Sequence, residues 1–484
     1  MRQGTMQGRL IGLAIAAVAA AGALAGPAAA AEPTCTNTAV TCVTGTSPDG
    51  STYKAEVPRP WNGTLLLYSH GYRAPIGPNP PADTWGSRAV ADELLGRGYA
   101  LAGSSYASNG WAVESALRDQ MDLLGRFGRR FGKPRRTIAW GESMGGMITA
   151  GLVERHPRRF DGALPFCGIL GGAVALWNQN LDLEYAIKTL LSADPDPAVS
   201  VPASQLELVH VTDWQANVAR ANAAVAAAQA TPEGRARLAL AAALFNLPDW
   251  YEPGTARPAH GDYAERQRQE FLALQFQLAF IFGFRQDVEQ RAGGNPSWNT
   301  GVDYRRLLAR SGSRDVVGAM YRRSALDLRA DLRRLATAPR VRAEARATRY
   351  LIRNVAYDGR IRVPVLTVHT TADGLVVSPH ERAYRDTVRR AGRGRLLRQL
   401  WLDRPGHCTY TDAETLQALD VLEQRLDSGR WPRRSAGPTF VGYEPPPFLR
   451  PFDLAWPSRT AGGAEARPQP PIRISFLLTN SSMP

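Results

Sequence analysis

Thr137-Ile-Ala-Trp-Gly-Glu-Ser-Met-Gly-Gly-Met147 is the stretch on which the fold turns. Its first four residues suit a buried strand. Gly141-Glu142-Ser143-Met144-Gly145 breaks that strand, and Met147, Ile148 and Leu152 then follow at helical spacing. Strand, Gly-x-Ser-x-Gly and helix form the context in which a serine sits on a sharp turn with its hydroxyl above the sheet edge. Glycine two residues to either side leaves room that larger side chains would fill. The helix that starts behind the serine turns free amides and a positive end toward incoming negative charge. A Gly-rich turn carrying a chance serine is the competing account of this stretch taken alone.

Working outward, residues 51–58 and 64–70 each suggest a strand, the second a continuous apolar run as expected of a strand covered on both faces. Residues 85–98 predict a helix and residues 99–105 a strand. Residues 113–131 predict a second helix, with Val113, Leu117, Met121, Leu124 and Phe127 near the 3.6 period. Residues 163–168 suggest the next strand. The alternation then stops. Residues 176–350 contain several helices and no good strand. Thr231-Pro232 is a cap followed by an N1 proline for a helix ending near Leu247, and residues 269–284 are apolar nearly all round, as in a buried helix. Strands return at 363–370 and 396–402, with helices at 378–391 and 411–426. This order predicts an α/β fold, a mostly parallel sheet flanked by helices, with a helical block inserted between two core strands.

Trp140-Gly-Glu-Ser-Met-Gly-Gly146, with His70-Gly71 upstream and Asp373 and His407 downstream, resembles the α/β-hydrolase superfamily across roughly residues 50–175 and 360–425. The resemblance implies a division into a core first half (32–175), a cap or lid (176–350), a core second half (351–428) and a Pro-rich tail (429–484). It also implies the chain order Ser, Asp, His for the catalytic set. A serine hydroxyl needs a base in hydrogen-bond reach and a third group to orient that base. His407 follows the last strand, behind the turn-forming Pro405-Gly406, where this fold places its base; His369 lies within a strand and His380 starts a helix, both structural positions. Asp373 follows the penultimate strand and is the expected acid, with Asp403 as competitor and Asp358 too early. The oxyanion donors implied are the backbone amides of Tyr72 and Met144. The expected activity is a Ser143 acyl-enzyme mechanism on carboxylic esters or thioesters, small or lipid-like, with no metal or organic cofactor. An exported peptidase or amidase of the same fold is the alternative, for which Glu265 and Glu270 are candidate holders of a substrate amine. A catalytically dead binding protein is the reading from another class, opposed by the complete Ser, Asp and His set.

The 484 residues are 44% hydrophobic, enough for a large core, and carry a formal charge of +14. The basic residues are almost all arginine, Lys54, Lys133 and Lys188 being the lysines. They are scattered rather than clustered with aromatics, so nucleic-acid binding is not expected. Residues 1–31 read as a signal peptide: Arg2 and Arg9, an apolar Ala-rich run from 10 to 24, and small residues before Glu32. The expectation is a secreted protein without stable membrane insertion, of undetermined oligomeric state. Of four cysteines, Cys35 and Cys42 are expected to pair. Cys167 and Cys408 both fall near strand ends, open to a bridge or to two buried thiols. No Cys-x-x-Cys or His-x-x-x-His spacing suggests a metal.

Overall fold

The computed structural model describes residues 39–432, 439–452 and 454. The expected signal segment, Cys35 and most of the tail therefore lie outside the described residues. The sheet-forming strands are β1 (Val40–Thr46), β2 (Thr52–Pro58), β3 (Thr64–Ser69), β4 (Ala100–Ser104), β5 (Arg136–Glu142), β6 (Gly162–Phe166), β7 (Val365–Ala372) and β8 (Leu397–Pro405). They form one sheet in the order β1-β2-β4-β3-β5-β6-β7-β8. β1 and β2 run antiparallel to their neighbours, and from β4 across to β8 every pair is parallel.

The apolar runs explain the layers. Side chains alternate across a strand, so Leu65 and Leu67 of β3 face one side of the sheet and Leu66 and Tyr68 the other. The first face is covered by α2 (Val113–Phe131) and α3 (Met144–Arg155), the second by α1 (Arg88–Gly96) and the last helix, Asp412–Ser428. Leu65, Leu66 and Leu67 are fully buried. Truncating any of them to Ala removes about 2–5 kcal/mol, a large fraction of a typical stability.

Between β6 and β7 the chain builds ten helices: α4 (Ala173–Leu191), α5 (Pro197–Ser204), α6 (Trp214–Ala230), α7 (Pro232–Phe245), α8 (Tyr263–Ala279), α9 (Arg285–Ala292), α10 (Tyr304–Arg310), α11 (Arg314–Ser324), α12 (Leu328–Thr337) and α13 (Ala345–Val355). Thr231 caps α7 as its sequence requires, accepting from the Gly234 amide, with Pro232 at N1. This block has an apolar core of its own, separate from the two sheet faces. α4 joins the two: Val174, Leu176 and Trp177 pack on the sheet side, and Leu183 onward in the helical core. The buried helix expected over residues 269–284 is two pieces, α8 and a π-helical turn, Phe280–Phe284, that runs on into α9. Gly283 allows the turn, because a Cβ there would come within 2.9 Å of Val218 on α6.

After β7 come α14 (Pro379–Arg390), β8 and α15 (Asp412–Ser428). β8 runs three residues further than its apolar pattern implied, so Asp403 lies on the strand and not in the loop of His407; a pairing irregularity between Thr370 and Ala372 brings Ala372 opposite Pro405. α15 opens on a full capping box between Thr411 and Glu414. Residues 439–452 strap across the molecule: Val441 bridges to Trp401 at the β8 edge, Glu444 pairs with Arg382 and Arg385 of α14, and Arg450 pairs with Asp182 of α4. Among the described residues, no helix is long and apolar enough to cross a membrane.

Candidate active site

Ser143 stands between β5 and α3 with φ 56° and ψ −121°. A non-glycine residue at positive φ costs on the order of 1–3 kcal/mol, held in place by its surroundings. The Ser143 amide donates to Phe166 O at 2.9 Å, tying the turn to the end of β6. Gly145 is required here: a Cβ would come within 1.9 Å of Ser69 O.

The structure brings Ser143, His407 and Asp373 together. His407 Nε2 lies 2.9 Å from Ser143 Oγ, and His407 Nδ1 lies 2.7 Å from Asp373 Oδ2. With Nδ1–H donating to the carboxylate, Nε2 is left free to accept the serine proton. Asp373 is itself fixed, because the Leu375 and Val376 amides donate to its Oδ1 at 2.8 and 2.9 Å. Asp403 does not take part. Its Oδ1 accepts from Arg257 and Thr371, both at 2.8 Å, and its side chain is 54% exposed. Asp358 lies against Glu154 at the far end of α3. His380 is buried against Gly171 and Phe448.

Tyr72 and Met144 carry the amides expected to hold the oxyanion. Gly71 approaches so closely that a Cβ on it would sit 3.4 Å from Ser143 Cβ, and Met144 is the first residue of α3. Neither amide donates to another group among the described residues. The loop carrying Tyr72 is held by His70, whose ring stacks on Tyr106 at 3.8 Å and spans the Gly71 and Ser105 carbonyls. Burial pushes His70 down to about 4. Glu142, next to the serine, accepts from Tyr68 and Tyr410 and takes a structural place.

Cys167 and Cys408 form a disulfide. It links the end of β6 to the residue after His407, and Cys408 Sγ lies 3.3 Å from His407 Nε2. Cys167, His407 and Cys408 have atoms within 4.8 Å of one another, yet both sulfurs are committed to the bridge and the imidazole to Ser143 and Asp373, so these residues do not fit a metal ion. Cys42 is also disulfide-bonded; Cys35, its expected partner, lies outside the described residues.

Two features escaped the sequence. The first is a row of aromatic rings from the helical block: Tyr251, Phe276, Phe280, Phe284 and Trp214, each centroid within 6.2 Å of the next, with Tyr72 joining at Phe280 and Phe284. One end abuts Gly374, beside Asp373, and Tyr72 follows Gly71. The spacing Phe276, Phe280, Phe284 was the available signal, a four-residue repeat of one residue type. The second is His369 on β7, four residues before Asp373, which follows the strand's end. Its Nε2 lies 2.7 Å from Val376 O and 3.4 Å from Asp373 Oδ2. Of the candidate amine holders, Glu265 is taken by Arg268 and Gln269, whose hydrogen bonds hold its carboxyl down at about 2. Glu270 is buried, and burial pushes its carboxyl up to about 8.

No family model matches the chain. Among curated proteins, the o-phthalyl amidase of Xanthobacter agilis is 30% identical over 413 residues, covering 80% of this chain and 88% of the amidase. Among solved structures, an esterase from Aspergillus oryzae shares 14% identity over 81% of both chains, with a TM-score of 0.41. The 2-hydroxy-6-oxo-6-phenylhexa-2,4-dienoate hydrolase of a Rhodococcus species shares 14% over 80% of this chain and 99% of that one, with a TM-score of 0.33. Those two overlaps are too low to carry an argument about the site.

Proposed function

The chain belongs to the α/β-hydrolase superfamily, in the family of the o-phthalyl amidase that it matches, and on that premise we propose that it is a serine hydrolase removing an aromatic acyl group from a small amine or alcohol. The observation that carries the reading is the pair of contacts at His407, 2.9 Å to Ser143 Oγ and 2.7 Å to Asp373 Oδ2. Ser143 attacks the carbonyl as His407 takes its proton; the amides of Tyr72 and Met144 hold the oxyanion; His407 returns the proton to the leaving nitrogen or oxygen; water then repeats the sequence on the acyl-enzyme. Asp373 holds the ring in the working tautomer and opposes its charge.

The relative is an amidase, which favours amides over the esters expected from sequence alone, and the same groups serve both bonds. The aromatic row supports an aromatic acyl part, since ring pairs gain about 0.5–1.5 kcal/mol beyond their buried area. The leading segment with Arg2 and Arg9 supports export, and a disulfide suits an oxidising compartment.

A fluorophosphonate probe should label the protein at Ser143, and Ser143→Ala should lose both label and turnover. Benzoyl amides and benzoyl esters should outrun acetyl counterparts. Label at Ser104 or Ser105, or none, overturns the mechanism; equal rates on benzoyl and acetyl substrates overturn the acyl preference.

A further inference from the structure

Beside Asp373, at the same Oδ2 that His407 touches, the protein buries a second histidine that the reaction as described does not use. His369 is 1% exposed and Glu381 is fully buried. His369 Nε2 lies 3.4 Å from Asp373 Oδ2 and donates to Val376 O at 2.7 Å. On the other side of the ring, Nδ1 faces Glu381 Oε1 at 3.4 Å. Neither Nδ1 nor Oε1 has another partner. The second Glu381 oxygen is occupied, accepting from Thr367 Oγ1 at 2.6 Å and from Gln399.

Two orphaned buried atoms that face one another define one missing proton. A neutral ring protonated at Nε2 would point its Nδ1 lone pair at a carboxylate oxygen, and an unmade buried pair costs about 1–3 kcal/mol. A proton on Nδ1 supplies the donor that Oε1 lacks and sets a cation between two buried carboxylates. We propose that His369 is a positioning residue, held as an imidazolium between Asp373 and Glu381, that keeps the Asp373 carboxylate charged and aimed at His407. This rests on the serine hydrolase reading above.

The electrostatics agree with the geometry. Burial opposes the charged ring, but the Glu381 contact and the charges of Asp373 and Glu381 outweigh it and push His369 up. Its α14 neighbour His380 is pushed down to about 3 by burial and by the His369 charge, and stays neutral. Tyr357 and Tyr384, near Glu381, are kept protonated by burial. The Arg385 guanidinium is engaged with Glu444. Trp401, the aromatic neighbour on β8, carries no charge.

The consequence is a row running Glu381, His369, Asp373, His407, Ser143. Without the cation, Asp373 would be a buried carboxylate beside a second one with no positive charge between them, and its aim at His407 Nδ1 is lost.

The test uses the full-length protein and reads pH profiles. His369→Gln should lower kcat on the order of 10²-fold, the scale of a misplaced catalytic group, with KM nearly unchanged. The acidic limb of kcat/KM should move up by roughly one pH unit, the effect of losing an opposite charge at this range. His369→Gln with Glu381→Gln should regain part of the rate, because the second carboxylate is then neutral too. A merely structural histidine predicts lower thermal stability with an unmoved limb and no regain, and that result overturns the proposal. Should His369→Gln fail to fold, nitrogen-15 spectra of the wild-type protein decide. One imidazole of the seven should stay doubly protonated at a pH where free imidazole has lost its proton; absence of such a ring overturns the proposal. Fluorophosphonate labelling at Ser143 is scored alongside, so failure of the serine mechanism is told apart from failure of the His369 assignment.

Discussion

The sheet and the helical block both bury charge, and they use it differently. In the block, Arg285 is fully buried between Glu184 and Glu289 and under Trp177. Arg237 joins Asp194 and Asp331, and Glu270 sits buried with neither carboxylate oxygen hydrogen-bonded. Burial pushes both Glu184 and Glu270 up to about 8. At the sheet edge, Ser143, His407 and Asp373 converge on one hydroxyl. Displaced titrations are a recognised pointer to function, yet here they fall in both regions, at Glu184 and Glu270 in the block and at His70 and Glu154 beside the sheet. Convergence on a reactive atom separates the two regions; the size of a displacement does not.

The largest expected effect lies at the sheet edge. Asp373→Asn should lower turnover by about 10⁴-fold with the fold retained by circular dichroism, the scale seen when a serine protease loses its orienting carboxylate. Asp403→Asn should stay within about twofold, as its exposed pair with Arg257 is worth at most about 1 kcal/mol. The reverse result would move the acid to β8 and break the contrast at its root. Arg285→Met probes the other side. Leaving Glu184 buried and unpaired should remove about 3–5 kcal/mol from the urea unfolding free energy, and adding Glu184→Gln should recover much of it. Loss of turnover at full stability would make this pair part of the chemistry instead.

Phe280→Ala sharpens the comparison where the regions meet. It should raise KM for a benzoyl substrate by up to about tenfold, the equivalent of one ring pair, and leave an acetyl ester unaffected. A uniform change in both would assign the ring to packing. The smallest effect is a pH dependence. The Glu270 carboxyl is raised in the folded state from 4.5 to about 8, so between those values the folded protein binds the extra proton. Its contribution is fully present below about 4.5 and is lost as pH rises through about 8. Melting temperature should therefore fall across that window, and Glu270→Gln should flatten the fall. An unchanged slope would assign the dependence to Glu184 or Glu154, which is also raised to about 8.

What the sequence disclosed follows from the range of the interactions involved. β3, β5 and α2 were legible because both sheet faces are covered and one period governs each run. Ser143, Asp373 and His407 stand where strands end, and a Gly-x-Ser-x-Gly turn fixes the reference for counting the other two. β1 drew no strand reading from the sequence: it is a Thr-rich edge strand with hardly any burial pattern, recognisable only from its pairing with β2. The π-helical turn depends on Gly283 meeting α6, and the strap on contacts more than 200 residues apart, such as Arg450 with Asp182. His369 was visible as a residue and not as a partner, because Glu381 reaches it from a different element.

The strap has a consequence for biosynthesis. Residues 439–452 are translated only after both halves of the sheet and the whole helical block have been made. Until Arg450 emerges, Asp182 is a fully buried carboxylate without the cation that opposes its burial, and the Asn246 amide lacks the Pro447 carbonyl it donates to. A nascent chain that has not reached Arg450 is therefore left with unfastened polar groups inside its helices.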